Sequence, residues 1–412
     1  MDTTLTQNSA PRENAAPDAG FDGLELAPAL AAAVRAAGYT EPTPIQLRAI
    51  PHVLAGRDVL GCAQTGTGKT AAFALPILDA LLAEPARAGG RGIRALELAP
   101  TRELASQIAA SFLKYAPRGR IRCHVVFGGV GKGPQVQALR RGLDVLVATP
   151  GRLLDLMGDG VVDLRQVETF VLDEADRMLD MGFLPDVRRI VSALPRRRQT
   201  LMFSATMPRE IRALADRLLC EPVEVAVDRI ASTVAPLAQY VYFVETARKT
   251  DLLLALLRGG EIDRALVFTR TKHAANRLTD KLVRAHIQAE ALHGNKSQAA
   301  RERALANFKR GTTRVVVATD IAARGIDVKD LSHVVNFDVP NQPETYVHRV
   351  GRTGRAGAAG TALSLCASGE RSFLSSIERL TRRRLDRLEL PQGFGAGLRE
   401  EARRRDRVPA RA

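Results

Sequence analysis

Eight consecutive residues, Ala63-Gln64-Thr65-Gly66-Thr67-Gly68-Lys69-Thr70, supply what holding a nucleoside triphosphate requires. Gly66 and Gly68 can adopt backbone angles closed to other residues, which lets main-chain N–H groups close around phosphate oxygens. Lys69 can reach the β- and γ-phosphates, and the Thr70 hydroxyl can enter a Mg²⁺ shell. The strict form of this loop opens with Gly; Ala63 is still small enough for a close turn. A carboxylate pair, Asp173-Glu174, follows the apolar run Phe170–Leu172, so it emerges at the C-terminal edge of a buried strand. There Asp173 can hold Mg²⁺, usually through water, while Glu174 orients and deprotonates an attacking water. A Gly-rich surface turn and a plain helix N-cap are the structural alternatives. Their joint occurrence in one chain favours the phosphate chemistry.

These groups need a scaffold, and the hydrophobic pattern provides one. Val59-Leu60 before the loop reads as a buried strand, and Thr70–Leu75 after it as the start of a helix. Strand-length apolar runs recur at Ala95–Leu98, Val145–Ala148, Phe170–Leu172 and Leu201–Phe203, then again at Ala265–Phe268, Val315–Ala318 and Val334–Phe337, with helical patterns between them. That alternation argues for an α/β fold with parallel β-sheets flanked by helices. Leu26 to Gly38 carries apolar residues at helical spacing, with Gly38 as the stop.

The restart of the pattern is a repeat. Arg94-Ala95-Leu96 leading to Thr101-Arg102 is echoed by Arg264-Ala265-Leu266 leading to Thr271-Lys272, and Leu146–Thr149 by Val316–Thr319, both at an offset of 170 residues. Two tandem copies of one α/β unit follow, and 412 residues at 45% hydrophobic content suffice for two cores. Only the first copy has Gly-x-Gly-Lys-Thr, so one nucleotide serves both and the interdomain cleft is the expected ATP site. The expected domains are 21–227 and 237–390, joined by a linker at 228–236, after a disordered start at 1–20 and before a flexible basic tail at 391–412. The arginine-dense stretch from Leu380 onward reads as a last helix running into that tail.

A formal charge of +15 points to a polyanionic partner, with nucleic acid ahead of an acidic membrane surface. The start of the chain has no apolar signal core, and the richest apolar window, Ala71–Ala83, contains Pro76 and Asp79, so a cytoplasmic protein is expected. Cys62, Cys123, Cys220 and Cys366 form no CxxC pair, which argues against a zinc site or disulfide framework and for buried thiols acting as small apolar residues.

Residues 173–176 spell Asp-Glu-Ala-Asp, and from about residue 21 to 370 the chain resembles a DEAD-box RNA helicase, the bacterial RhlE-like subgroup in particular. The resemblance implies two RecA-like domains that close on ATP and bind RNA across both. Phe21, with Gly38-Tyr39 through Gln46, resembles the adenine-reading Q motif at 21–46; a Gln amide matches the donor–acceptor edge of adenine and an aromatic ring can stack on it. Phe21 and Tyr39 would equally serve as a staple for the first helix. Thr101-Arg102, Gly128-Gly129 and Thr149 to Arg152 resemble the RNA-contacting loops of the first domain, and Arg270, Thr319, Gln298 and Arg301 those of the second. Hydroxyls, arginines and glycine N–H groups are the kit for gripping phosphate and sugar without reading bases. The family usually has Asp where this chain has Asn295. Ser204-Ala205-Thr206 resembles the element that couples hydrolysis to strand separation through Asp176, with His348 in the same role; a Ser/Thr pair there is also an ordinary helix cap. Gly325 and Asp327 would reach the ribose, and Arg352 and Arg355 match the arginine fingers that neutralise the departing γ-phosphate.

The expected activity is RNA-dependent ATP hydrolysis with Mg²⁺, driving local unwinding of short RNA duplexes or remodelling of RNA–protein complexes by a monomer. The competing expectation is an ATP-gated RNA clamp that recruits partners without appreciable unwinding. A nucleotide switch that uses GTP is disfavoured by Gln46.

Overall fold

The structure, a computed structural model, describes residues 20–63, 66–84, 92–117, 119–227, 237–323, 331–354, 360–391 and 394. The chain divides into two compact units, Met1–Asp228 and Arg229–Ala412. The expected disordered start up to residue 19, the linker at 228–236 and all of the basic tail but Pro391 and Phe394 lie outside the described residues, while Gly20, expected in the disordered start, opens the short helix Gly20–Leu24.

Unit one contains β1 (Val59–Cys62), β2 (Ala95–Leu98), β3 (Cys123–Val126), β4 (Val145–Ala148), β5 (Thr169–Leu172), β6 (Gln199–Ser204) and β7 (Val223–Ala226). Among the described residues they form one parallel sheet in the order β3-β4-β2-β5-β6-β1-β7. Unit two contains β8 (Ala238–Phe243), β9 (Ala265–Phe268), β10 (Ala289–Leu292), β11 (Val315–Ala318), β12 (His333–Asn336), β13 (Thr361–Cys366) and β14 (Asp386–Arg387). Its order, β10-β11-β9-β12-β13-β8-β14, is the same permutation. The repeat extends to the caps: Thr101 and Thr271 share backbone angles near φ −129° and each side chain accepts an N–H from the first turn of its helix.

The central strands form because both faces are covered. β2, β4, β9 and β11 are buried at every position, and alternate residues enter different cores. On one face of the first sheet Phe73 packs against Phe203 and Phe112, with ring centroids 5.5 and 6.3 Å apart. On the other lie Leu146, Phe170 and Met202. The helix Lys69–Ala83 starts at the left-handed Gly68 and runs buried through Pro76, which fixes the phosphate-loop end of β1 to the core.

Two expectations need correcting. No helix begins at Leu380: the helix Arg371–Thr381 ends there, Arg382 turns left-handed at φ 50°, and the chain enters β14. The expected turn of helix is lost because Leu385 and Leu388 are drawn onto the sheet edge. The thiols are not uniformly buried either; Cys366 is, whereas Cys220 is exposed, its backbone N–H held by Asp58. No helix among the described residues is long and apolar enough to cross a membrane.

Candidate functional site

β1 delivers the phosphate loop and β5 the acid pair to the same, C-terminal edge of the first sheet. Gly66 and Gly68 sit at φ 88° and 92°, the left-handed region the loop needs, while Gln64 and Thr65 lie outside the described residues. Ala63 is buried and its N–H donates to the Ser204 carbonyl, tying the loop to β6. The buried Lys69 ammonium donates to the Ala63 carbonyl at 2.9 Å, which folds the loop over itself. Thr67 and Thr70 complete the turn and the first helical residues.

Gln46 is bound to this loop. Its Nε2 donates to the Gly68 carbonyl at 3.0 Å and its Oε1 accepts the Thr43 N–H at 2.9 Å as part of a capping box. A Cβ on Gly68 would overlap the Gln46 amide, so glycine is required there for contact as well as for backbone angle. Phe21 is buried in the core, whereas Tyr39 is exposed, meeting Tyr115 edge-on at 6.0 Å with the Lys114 ammonium 4.8 Å from its ring.

Asp173 and Glu174 are both 2% exposed. Glu174 takes left-handed angles (φ 52°, ψ 50°), a conformation that strains a residue with a Cβ and that functional turns retain. Its N–H donates to Asp173 Oδ1 at 2.8 Å, and its carboxylate pairs with the buried Arg177 guanidinium at 2.5 Å. Burial pushes the Asp173 carboxyl up to about 6, against the pull of the Lys69 charge. Behind it, on β2, Glu97 is buried with both carboxylate oxygens unpartnered; burial first, then the Asp173 charge, raise it well above the usual carboxylate range.

Asp176 connects this turn to the loop after β6. Its Oδ2 accepts from the Thr206 N–H and hydroxyl, its N–H donates to Ser204 Oγ at 3.2 Å, and Ser204 Oγ donates to the Thr206 carbonyl at 2.7 Å. The expected RNA-contacting residues of this unit also converge. The Arg102 guanidinium packs on Gly129, which stands at φ 77° beside Gly128, and Arg152 Nη2 donates to the Val130 carbonyl at 3.1 Å. Thr101 and Thr149 stand at the N-terminal ends of the two helices that carry those arginines, and the Thr101 hydroxyl accepts the Leu104 N–H.

In unit two, Arg270 Nη2 lies 3.3 Å from Glu370 and its N–H donates to Asp338. Ser297 caps the helix bearing Gln298 and Arg301, both buried, and Gln298 Nε2 donates to Glu302. Thr319 anchors to β10 through the Leu292 carbonyl. Arg352 is buried, its Nε donating to the His348 carbonyl at 3.2 Å. Gly325, Asp327 and Arg355 lie outside the described residues.

Sequence reasoning missed Arg177, Glu97 and Arg349. Arg349 is buried over Phe268, bridges both oxygens of Asp320 and reaches Asn336 and the Asp338 carbonyl. Arg177 could have been found, since it stands three residues after an acid on a helix. Glu97, inside an apolar run, carries no local signal of its position behind Asp173.

Known proteins match this geometry. Residues 43–214 match the DEAD/DEAH box helicase family model and residues 248–357 the helicase conserved C-terminal domain model. The DEAD-box ATP-dependent RNA helicase CshA of Bacillus licheniformis is 43% identical over 371 residues, covering 90% of this chain and 75% of that protein. CshA of Bacillus subtilis gives the same identity over 74% of its length. Among solved structures, S. cerevisiae Dbp5 bound to RNA and ADP BeF3 superposes with a TM-score of 0.81 at 31% identity, covering 93% of this chain and 99% of that one. Mss116p bound to ssRNA and AMP-PNP gives 0.82 at 26% identity, covering 95% and 84%. The chain belongs to the DEAD-box family of ATP-dependent RNA helicases, with its two RecA-like α/β domains and the RNA-dependent ATPase activity typical of that family.

Proposed function

We propose that this chain hydrolyses ATP in a cleft between its domains when RNA spans both, and that closure unwinds short RNA duplexes or remodels RNA–protein complexes. The observation that carries the proposal is the acid turn, where buried Glu174 is held left-handed against Arg177, beside Asp173 and Lys69. In this reading Glu174 orients and deprotonates the attacking water, and the ion pair with Arg177 keeps its carboxylate aimed. Lys69 leaves the Ala63 carbonyl to meet the β- and γ-phosphates. Arg352 and Arg355 supply the charge that meets the γ-phosphate as it departs, which makes hydrolysis depend on closure.

Asp173 and the Thr70 hydroxyl are hard oxygen donors and fit Mg²⁺, an ion that takes its remaining ligands from water and phosphate. When bound, it would neutralise charge developing on the phosphates. Gln46 and the aromatics Phe21 and Tyr39 would select adenine, with Gly325 and Asp327 at the ribose. Arg102, Gly128, Gly129 and Arg152, continued by Arg270, Gln298, Arg301 and Thr319, would grip RNA without reading its sequence. Asp176, Ser204, Thr206 and His348 would couple the two events. The proposal includes domains at 21–227 and 237–390, a linker at 228–236, a basic tail at 391–412, an RhlE-like placement within the family and a monomer in the cytoplasm.

Glu174→Gln tests the centre of it. The variant should bind an ATP analogue within about twofold of the parent while losing at least ~100-fold in turnover; unchanged turnover removes Glu174 as the base. A strand-displacement assay on a short-tailed RNA duplex then separates unwinding from clamping.

A further inference from the structure

Unit two holds a surface cavity of about 330 Å³ that the proposed ATPase cycle does not use, a size at the lower end of ligand pockets, roughly 300–1,000 Å³. Phe243, the last residue of β8, forms part of its wall and carries two guanidiniums. Arg371 and Arg387 each lie 5.2 Å from the ring centroid. The ring is half-buried and both arginines are exposed. Among the described residues neither guanidinium has an ion-pair partner, and Glu378, the carboxylate in the wall, accepts the Leu385 N–H at 3.0 Å. One aromatic ring thus holds two like charges in place, neither of them in an ion pair among the described residues and with a single carboxylate, Glu378, in the wall, an arrangement that an incoming polyanion relieves.

The cavity adjoins the proposed RNA track. Arg270 reaches Glu370 at 3.3 Å and lies 5.9 Å from the Phe373 ring, on either side of Arg371 at the start of the same helix. Glu370 does not cancel the arginines, because the buried Lys249 ammonium already pairs with it at 2.6 Å. Downstream, residues 371–387 carry six arginines against two carboxylates. Guanidinium planes stack on bases while their edges grip phosphate, a combination that single-stranded RNA satisfies in full and an acidic peptide satisfies only through charge.

We infer that Phe243, Arg371 and Arg387 form an auxiliary subsite for single-stranded RNA, taking nucleotides beyond those held at Arg270, Gln298, Arg301 and Thr319. The inference rests on the RNA reading proposed above. It is tested on the full chain with Arg371→Gln/Arg387→Gln, measuring binding of a 6-mer and a 20-mer RNA by fluorescence anisotropy between about 50 and 200 mM salt. The 6-mer affinity and the RNA-stimulated ATPase should stay within about twofold of the parent, the 20-mer affinity should fall about tenfold, and the salt slope should drop by about 1.4, the value for two single-strand phosphate contacts. Phe243→Leu should reproduce the 20-mer loss, since the ring is what orders the two arginines. Equal 20-mer binding by parent and double variant overturns the subsite and leaves the RNA reading intact. Equal losses on both RNAs also overturn it, by placing the arginines in the main track. A polyglutamate peptide that binds the parent and not the variant, with 20-mer affinity unchanged, assigns the cavity to an acidic peptide instead. If the unmodified chain binds neither RNA, the RNA reading falls and the subsite with it.

Discussion

Thr206 holds Asp176 twice: Oδ2 of the carboxylate accepts the Thr206 backbone N–H and its hydroxyl, each at 2.9 Å. Asp176 belongs to the turn that presents the acid pair, and Thr206 to the loop that follows β6. A displacement at either end of this contact must therefore be felt at the other.

Thr206→Val keeps the side-chain shape and removes the hydroxyl bond to a charged group, a contact worth about 1.5–3 kcal/mol. RNA-stimulated ATPase should stay within about threefold while strand displacement falls at least about fivefold, with both rates measured on one preparation. Parallel losses would show that the contact only stabilises the fold.

Arg177→Met strips the counter-charge from buried Glu174, and breaking a buried pair from one side destabilises by about 3–5 kcal/mol. Urea melts should show that loss, and ATPase should fall by at least about tenfold. Full activity in this variant would mean that Glu174 needs no partner to act.

Glu97 makes stability depend on pH in a defined direction. Its folded-state affinity for a proton is raised above the ordinary value of 4.5 by burial and by Asp173. Above that value the folded state holds a proton that the unfolded state has released, so stability falls as pH rises until the folded group ionises. Glu97→Met removes the group, along with an unpartnered buried carboxyl that costs about 1–3 kcal/mol. The variant should melt higher than the parent, by a margin that widens between about pH 5 and pH 8. Melting curves that keep a constant gap across that range would show that the folded state holds no extra proton on Glu97.

Gly129→Ala should act on RNA alone. The new methyl would overlap the Arg102 guanidinium and strain a backbone at φ 77°. RNA affinity should drop about tenfold with ATP-analogue affinity unchanged, as read by anisotropy and nucleotide competition. Equal losses in both would point to misfolding of the whole unit.

Four central strands were legible because burial on both faces forces continuous apolar runs: Ala95–Leu98, Val145–Ala148, Ala265–Phe268 and Val315–Ala318 read from sequence with the bounds they have in the structure, whereas the interior strands Ala238–Phe243 and Thr361–Cys366 were missed. The edge strands Cys123–Val126 and Ala289–Leu292 were missed for the complementary reason. Three of the four positions in each are only partly buried, so the apolar run dissolves into mixed residues. The short strand at 386–387 was hidden by arginines that favour a helix in isolation and yield to the pull of Leu385 and Leu388 on the sheet edge. At the site, loops with fixed backbone demands were readable, as at Gly66, Gly68 and the acid pair. Long-range partners such as Glu97 behind Asp173 were not, because only the fold brings them together.

The most direct measurement is ATP turnover by the intact chain with no nucleic acid, with saturating single-stranded RNA, and with DNA of the same sequence. RNA should raise the rate at least about tenfold and DNA should raise it little, since contacts to the 2′-hydroxyl distinguish the two. A rate that ignores RNA, or that DNA raises equally, would contradict the account.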